Sequence, residues 1–214
     1  ATGGEDAETL ARAPDNAPLT VLTLERAVSI DDYANFARAF ARIDKAHAQW
    51  IPAGPARVVF LSIAGIRGAV VPEDSDTYNN LRDALVTYGD PLVPLRLLNY
   101  RDARFRSRLS AKIDKAFETD AVLAAVEAAL REAFSFARRA FGQTVSVDEV
   151  AAVAQGVAGV VAVHVTRLYR VGQSPTVVVP RLFAALPVAS LTGVPLAAEL
   201  LTLATDPIEL EVLP

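Results

Sequence analysis

The apolar residues of this chain change period several times, and each change marks an element. Thr20–Leu24 alternates as a short strand does. From Ser29 to Phe40 the spacing turns helical, with Tyr33, Phe36, Ala37 and Phe40 on one face. Ile43–Ile51 reads as a strand, Ala53-Gly54-Pro55 as a turn and Arg57–Ala64 as a buried strand. After a loop over Gly65–Pro72, Asp76–Tyr88 is amphipathic through Tyr78, Leu81, Leu85 and Tyr88. Gly89-Asp90-Pro91 stops that helix, because Pro cannot continue it. Leu92–Leu98 is again strand-like. Residues 1–18, rich in Gly, Asp, Glu, Pro and Ala, read as an extended lead-in. The order over residues 19–100 is therefore β-α-β-β-α-β, which predicts a ferredoxin-like α+β domain.

A second α+β domain is predicted over residues 101–170, in the order β-α-α-β. Arg104–Asp114 alternates, Asp120–Phe136 carries apolar residues at Leu123, Val126, Leu130 and Phe134, Ser146–Gln155 is a shorter helix, and Gly159–Leu168 is a Val-rich strand. Residues 171–214 read as a β-rich tail. Its first part, 171–198, holds one charge, Arg181, and four prolines; its end, Ile208–Leu213, is strand-like.

Two segments 117 residues apart echo each other. Val28-Ser29-Ile30-Asp31-Asp32-Tyr33-Ala34 aligns without a gap on Val145-Ser146-Val147-Asp148-Glu149-Val150-Ala151, and the register carries Ala37 onto Ala154 and His47 onto His164. Ser29 and Ser146 are predicted N-caps. Asp32 and Glu149, three residues on, are placed to reach back to the cap amide, and Val28 with Tyr33, like Val145 with Val150, is spaced as a hydrophobic staple. The paired acids then have a structural task and also suit the helix dipole.

Composition narrows the function. The 214 residues hold 21 Lys+Arg and 25 Asp+Glu, so the chain is mildly acidic, which argues against a general nucleic-acid binder. Absence of Cys removes disulfides, thiolate metal sites and thiol nucleophiles. A mean hydropathy of +0.28 is too apolar for disorder and suggests surfaces covered by partners. The uncharged stretches 150–166 and 182–198 are broken by Gly, Gln, His or Pro and are not bilayer-spanning helices, so the chain reads as soluble. It begins at Ala1 and lacks Met, as a processed chain or a fragment would.

Chemistry is sparse. The histidines, His47 and His164, are far apart and not spaced as metal ligands. No phosphate loop, dinucleotide fingerprint or Gly-x-Ser-x-Gly nucleophile motif is present. The expectation is no catalytic residue, no cofactor and no metal. The charge distribution says more. Arg104, Arg106, Arg108, Ser110 and Lys112 recur at period two and share one strand face, opposite Phe105, Leu109, Ala111 and Ile113. The last sixteen residues hold Glu199, Asp206, Glu209 and Glu211 and no base. The basic strand face reads either as the solvated outer side of an antiparallel sheet or, through Arg104, Arg106, Arg108 and Lys112, as an interface for an acidic segment of another subunit.

Several stretches together resemble the baseplate J-like family of contractile-tail wedge proteins. Gly3-Gly4-Glu5-Asp6-Ala7-Glu8-Thr9-Leu10 with Ala13-Pro14, the Arg26-Ala27-Val28-Ser29 helix start with Tyr33, Ala46 to Trp50, and Asp120–Leu130 followed by Val145–Val150 and Gly156–Val160 are similar to that family's pattern. The resemblance covers residues 3–170 and transfers no catalytic residue. Family members extend upstream of the Gly-Gly lead-in. The resemblance implies a structural baseplate wedge component of a phage tail or contractile injection system, assembled in the bacterial cytoplasm. Implied partners are other wedge proteins, a lysozyme-like baseplate protein, the spike or hub, and the sheath. It implies no nucleic acid and no membrane insertion. The alternatives are a cytosolic enzyme using His47 or His164 with a nearby carboxylate, and a ferredoxin-like binding or oligomerisation module.

Overall fold

A computed structural model describes residues 27–53, 56–174, 179–188 and 195–213, and its chain divides into two compact units, 1–99 and 100–214. Among the described residues of the first unit the order is α1 (Ile30–Ala39), β1 (Ile43–Ala53), β2 (Ala56–Gly65), a 3-10 turn (Ile66–Gly68), α2 (Asp76–Tyr88) and β3 (Leu95–Asn99). The expected strand Thr20–Leu24 lies outside the described residues.

β1 and β2 form an antiparallel hairpin from Ile43↔Gly65 to Ala53↔Ala56, with a bulge near Ile43. β2 then pairs in parallel with β3, from Val59↔Leu95 to Ile63↔Asn99. Being central in the sheet order β1-β2-β3, β2 is buried without a break from Val58 to Gly65. That explains its continuous rather than alternating apolar run. Val59, Leu61 and Ile63 pack with Tyr33 and Ala37 of α1 and with Tyr78, Leu81 and Leu85 of α2.

The α+β class holds, but the ferredoxin-like order is corrected. A split β-α-β places another strand between the two parallel ones; here β2 and β3 are direct neighbours. Apolar periodicity reports which face of each strand is buried, not which strands adjoin. β3 also starts later than expected, at Leu95. Pro94 has no N–H to give a ladder, and Asp90 turns the chain by accepting the Leu92 N–H (2.9 Å).

The second unit contains β4 (Arg101–Ile113), α3 (Thr119–Ala133), β5 (Val145–Ser146), α4 (Val147–Gln155), β6 (Val160–Arg170), β7 (Arg181–Leu182), β8 (Glu199–Leu203) and β9 (Glu209–Val212). β4 is the spine. It pairs antiparallel with β6 on one side. On the other it pairs in parallel with β8 over Arg101–Phe105 and with β9 over Arg108–Ala111. Phe105, Leu109, Val165, Leu168 and Leu201 face Val122, Val126 and Leu130 of α3 and Val150 and Ala154 of α4. At the centre, Phe105 and Phe134 meet edge to face, centroids 5.2 Å apart. β8 was not separable from the tail in sequence.

Candidate interaction surfaces

The basic face of β4 forms as its alternation predicts except at Ser110, which is buried beyond a bulge at Arg108/Leu109. Arg104, Arg106 and Lys112 are exposed and Arg108 half-buried, while Phe105, Leu109 and Ala111 are buried. The acidic counterpart of the arginines, however, comes from the same chain. Asp206 takes a hydrogen bond from Arg106 at 2.7 Å. Arg108 pairs with Glu211 and, at 3.4 Å, with Glu209. Arg104 donates to Asp102 at 2.8 Å. The parallel register Arg108↔Glu209 and Ser110↔Glu211 sets these charges side by side. Arg106 and Arg108 thus meet acids of their own chain; sequence showed the complementary charges but not that β9 lies beside β4. The Arg106 hydrogen bond and charge hold Asp206 below the usual carboxylate range.

Glu199, at the head of β8, is the buried acid of the unit. It accepts from Arg170 of β6 (2.8 Å) and from the Ala185 N–H (2.9 Å), and pairs with Arg101 of β4 at 3.2 Å. Arg101 also donates to the Ala197 carbonyl at 2.9 Å, and Arg170 to that of Phe183. One carboxylate thus ties β4, β6 and the segment around Ala185 together. Burial alone would raise its pKa; the Arg170 and Ala185 hydrogen bonds, with the Arg170 and Arg101 charges, bring it below the ordinary value. No sequence motif marks this site, since its three partners lie far away along the chain.

The echoed helix starts differ in detail. Ser29 caps α1, with Oγ accepting the Asp32 N–H (3.2 Å) and Asp32 accepting the Ser29 N–H (2.7 Å), so the capping box closes. Ser146 caps α4 through the Glu149 N–H (3.1 Å), but Glu149 turns to Arg139 at 2.7 Å instead of reaching back. Arg139 is almost wholly buried and would otherwise stand without a counter-charge, which outweighs a surface cap bond. The staple also differs: Val145 and Val150 are both buried, whereas Val28 is exposed. Beyond the caps the offset is kept. β1 and β6 start and end 117 residues apart, as do the buried pairs Tyr33/Val150, Ala37/Ala154 and Ile51/Leu168. The left-handed residues before each strand, Arg42 (φ 72°) and Gly159 (φ 90°), keep it too.

The histidines stand on these matching strands. His164 is exposed, while the Nε2 of His47 is buried without a hydrogen-bond partner. Neither has a carboxylate in ion-pair range among the described residues, and no group of three His, Asp or Glu there could hold a metal. No described helix is long and apolar enough to cross a membrane. Apolar side chains are exposed in this unit as well, among them Phe183, Leu186, Val188 and Leu196, the last two paired by an isolated bridge.

A family model described as the baseplate J-like central domain matches residues 25–98. That match covers 74 of the chain's 214 residues, all of them in the first unit. The matched stretch runs from α1 into β3. Among solved structures, a chain of the anti-feeding prophage (AFP) baseplate, determined by cryo-electron microscopy and six-fold symmetrised, matches over 94% of this chain. The TM-score is 0.58 and the identity 16%, so the likeness is one of fold. This chain covers 43% of that chain, less than half its length. No curated protein matches it by sequence. The β4 basic face and the Glu199 site both lie beyond the matched residues, in the second unit.

Proposed function

We propose that this protein is a structural component of the baseplate of a contractile tail or contractile injection system, and that it works as a wedge subunit rather than an enzyme. The observation that carries the reading is the baseplate J-like central domain at residues 25–98. The fold shared with a chain of the AFP baseplate supports it. So does the exposed apolar group at Phe183, Leu186, Val188 and Leu196, which water alone disfavours and a neighbouring subunit would cover. In this reading the chain assembles in the bacterial cytoplasm with other wedge proteins and a small lysozyme-like baseplate protein. The assembled wedges surround the spike or hub and link it to the sheath. The work is mechanical: many subunit contacts hold the extended state and rearrange on firing. Deleting the gene in the producing bacterium tests it by electron microscopy of purified particles. Loss of sheathed, baseplate-bearing particles, restored by the gene in trans, is expected; intact particles in the deletion strain would contradict the proposal.

A further inference from the structure

The two units build one corner in two ways. Arg42 and Gly159 stand at matching positions just before β1 and β6, both left-handed, at φ 72° and 90°. The carbonyl of each receives the first N–H beyond the neighbouring strand: Ile66 donates to Arg42 (3.3 Å) and Asp114 to Gly159 (2.9 Å). In the second unit an aromatic ring fills the corner. Phe117 lies over Gly159, where a Cβ would stand 2.8 Å from its Cγ, and Val122 of α3 closes the other side. In the first unit the corner is an apolar pocket of about 290 Å³. Arg42, Gly65, Val71 and Pro72 line it, and Ile66 and Val70 stand at its mouth, 56% and 67% exposed. That volume lies at the small end of ligand pockets and suits a side chain better than a cofactor.

The charges around this pocket describe what it would accept. Arg42 and Arg67, on the adjoining 3-10 turn, are the non-glycine residues with left-handed backbone among those described. Such backbone is uncommon for a residue with a side chain and concentrates at binding positions. Neither arginine forms an ion pair with a described residue, Asp44 being engaged by the Arg67 backbone N–H (3.3 Å). Beyond Pro72 come the exposed acids Glu73 and Asp74. A fitting occupant brings an apolar side chain, acids for the arginines and a base for Glu73 and Asp74. Among the described residues the large exposed aromatics are Tyr88, Phe117 and Phe183. Tyr88 packs on Phe36, ring centroids 5.6 Å apart, and Phe183 has Arg181 nearby in sequence and no acid. Phe117, 46% exposed, stands between the exposed base Lys115 and the exposed acids Glu118 and Asp120.

We propose that a second copy of this chain supplies the occupant: the turn between β4 and α3 of one copy seats Phe117 at the first-unit pocket of the next. Glu118 and Asp120 then meet Arg42 and Arg67, and Lys115 meets Glu73 and Asp74. Phe117 keeps one side on its own Gly159 and gives its exposed side to Ile66 and Val70 of the neighbour. Glu118 uses one carboxylate oxygen to cap α3, accepting the Ala121 N–H (2.8 Å), and has the other to offer. Lys115 and Asp120 form no ion pair with a described residue. Because the two surfaces differ, the contact is heterologous and runs from copy to copy in one direction, as in rings of subunits. It involves no other baseplate protein, so its failure would leave the proposed function standing.

The chain has no cysteine, so engineered thiols report cleanly. Full-length protein with Val70→Cys is mixed with full-length protein carrying Ala116→Cys, oxidised, and the mixed disulfide is followed by mass spectrometry. The control pairs Ala116→Cys with Val86→Cys, an exposed site near the far end of α2. Circular dichroism checks that each variant folds. The contact predicts that the 70/116 disulfide forms about tenfold faster than 86/116, because docked copies hold the thiols at a raised effective concentration. Adding Arg42→Glu and Arg67→Glu to the Val70→Cys chain should slow it about threefold or more, and Asp120→Arg in the partner chain should restore most of the rate. Raising sodium chloride to ~1 M should slow the unsubstituted pair in the same direction. Equal rates for the two pairs, indifference to charge reversal and salt, or no recovery with Asp120→Arg would each overturn the proposal.

Discussion

Arg42 carries a side chain on left-handed backbone, at φ 72°. Left-handed backbone disfavours any side chain, so Arg42→Gly should raise the stability of the first unit by about 0.5–1 kcal/mol in chemical denaturation. Gly159 has no such freedom: a Cβ there would lie 2.8 Å from Phe117 Cγ and 2.9 Å from Val122 Cγ2, at φ 90°. Gly159→Ala should cost about 1–3 kcal/mol. Glu199 is the other single residue with leverage. Glu199→Gln keeps the shape but leaves Arg170 and Arg101 without their counter-charge, and should cost about 2 kcal/mol, read from urea midpoints. Its pH sign follows from the lowered pKa. The stabilisation is full above the unfolded value of about 4.3 and is lost as pH falls through the lower folded value. Wild type should lose stability below about pH 4 more steeply than Glu199→Gln, and parallel acid curves would refute that role. At this scale the helix caps were readable because a cap is a local pattern of three or four residues. The Arg139–Glu149 and Glu199 pairings were not, since burial and long-range partners leave no mark in spacing.

At the scale of elements, α1, β1, β2, α2, α3, α4 and β6 follow from apolar period, because each buries one well-defined face or run. Sheet order did not follow: β2 beside β3, and β9 beside β4, are choices among strands with equally suitable faces. β8 escaped notice because Leu200 and Leu201 form a short unbroken apolar run after a Pro-containing stretch, without alternation. The repeated helix-strand unit offers a matched test. Ser29→Ala and Ser146→Ala should each cost about 1 kcal/mol, the usual worth of an N-cap. β9 depends on charge in a way the buried strands do not. It holds β4 by a short ladder and by exposed ion pairs to Arg106 and Arg108, through Asp206, Glu209 and Glu211. In ~1 M salt, where the Debye length falls to about 3 Å, hydrogen exchange at residues 209–213 should accelerate while β8 stays protected. Equal protection at low and high salt would show that the ladder alone holds it.

For the whole molecule, the resemblance seen in sequence lay in the order and spacing of several weak stretches, and the central-domain match at 25–98 and the shared fold agree with it. What sequence did not disclose is which surfaces meet neighbours, because an exposed apolar side chain becomes informative only once its burial is known. Phe183, Leu186, Val188 and Leu196 are the group the baseplate reading expects to be covered. Replacing Phe183 and Val188 by Ser should leave the isolated chain folded and reduce its incorporation into particles, measured by quantitative mass spectrometry of purified assemblies. The most direct test of the central claim is a cryo-electron microscopy map of native particles from the producing bacterium. The account predicts density for both units of this chain in the baseplate, with Phe183 and Leu186 buried against a neighbouring subunit. A complete baseplate map without this chain would contradict it.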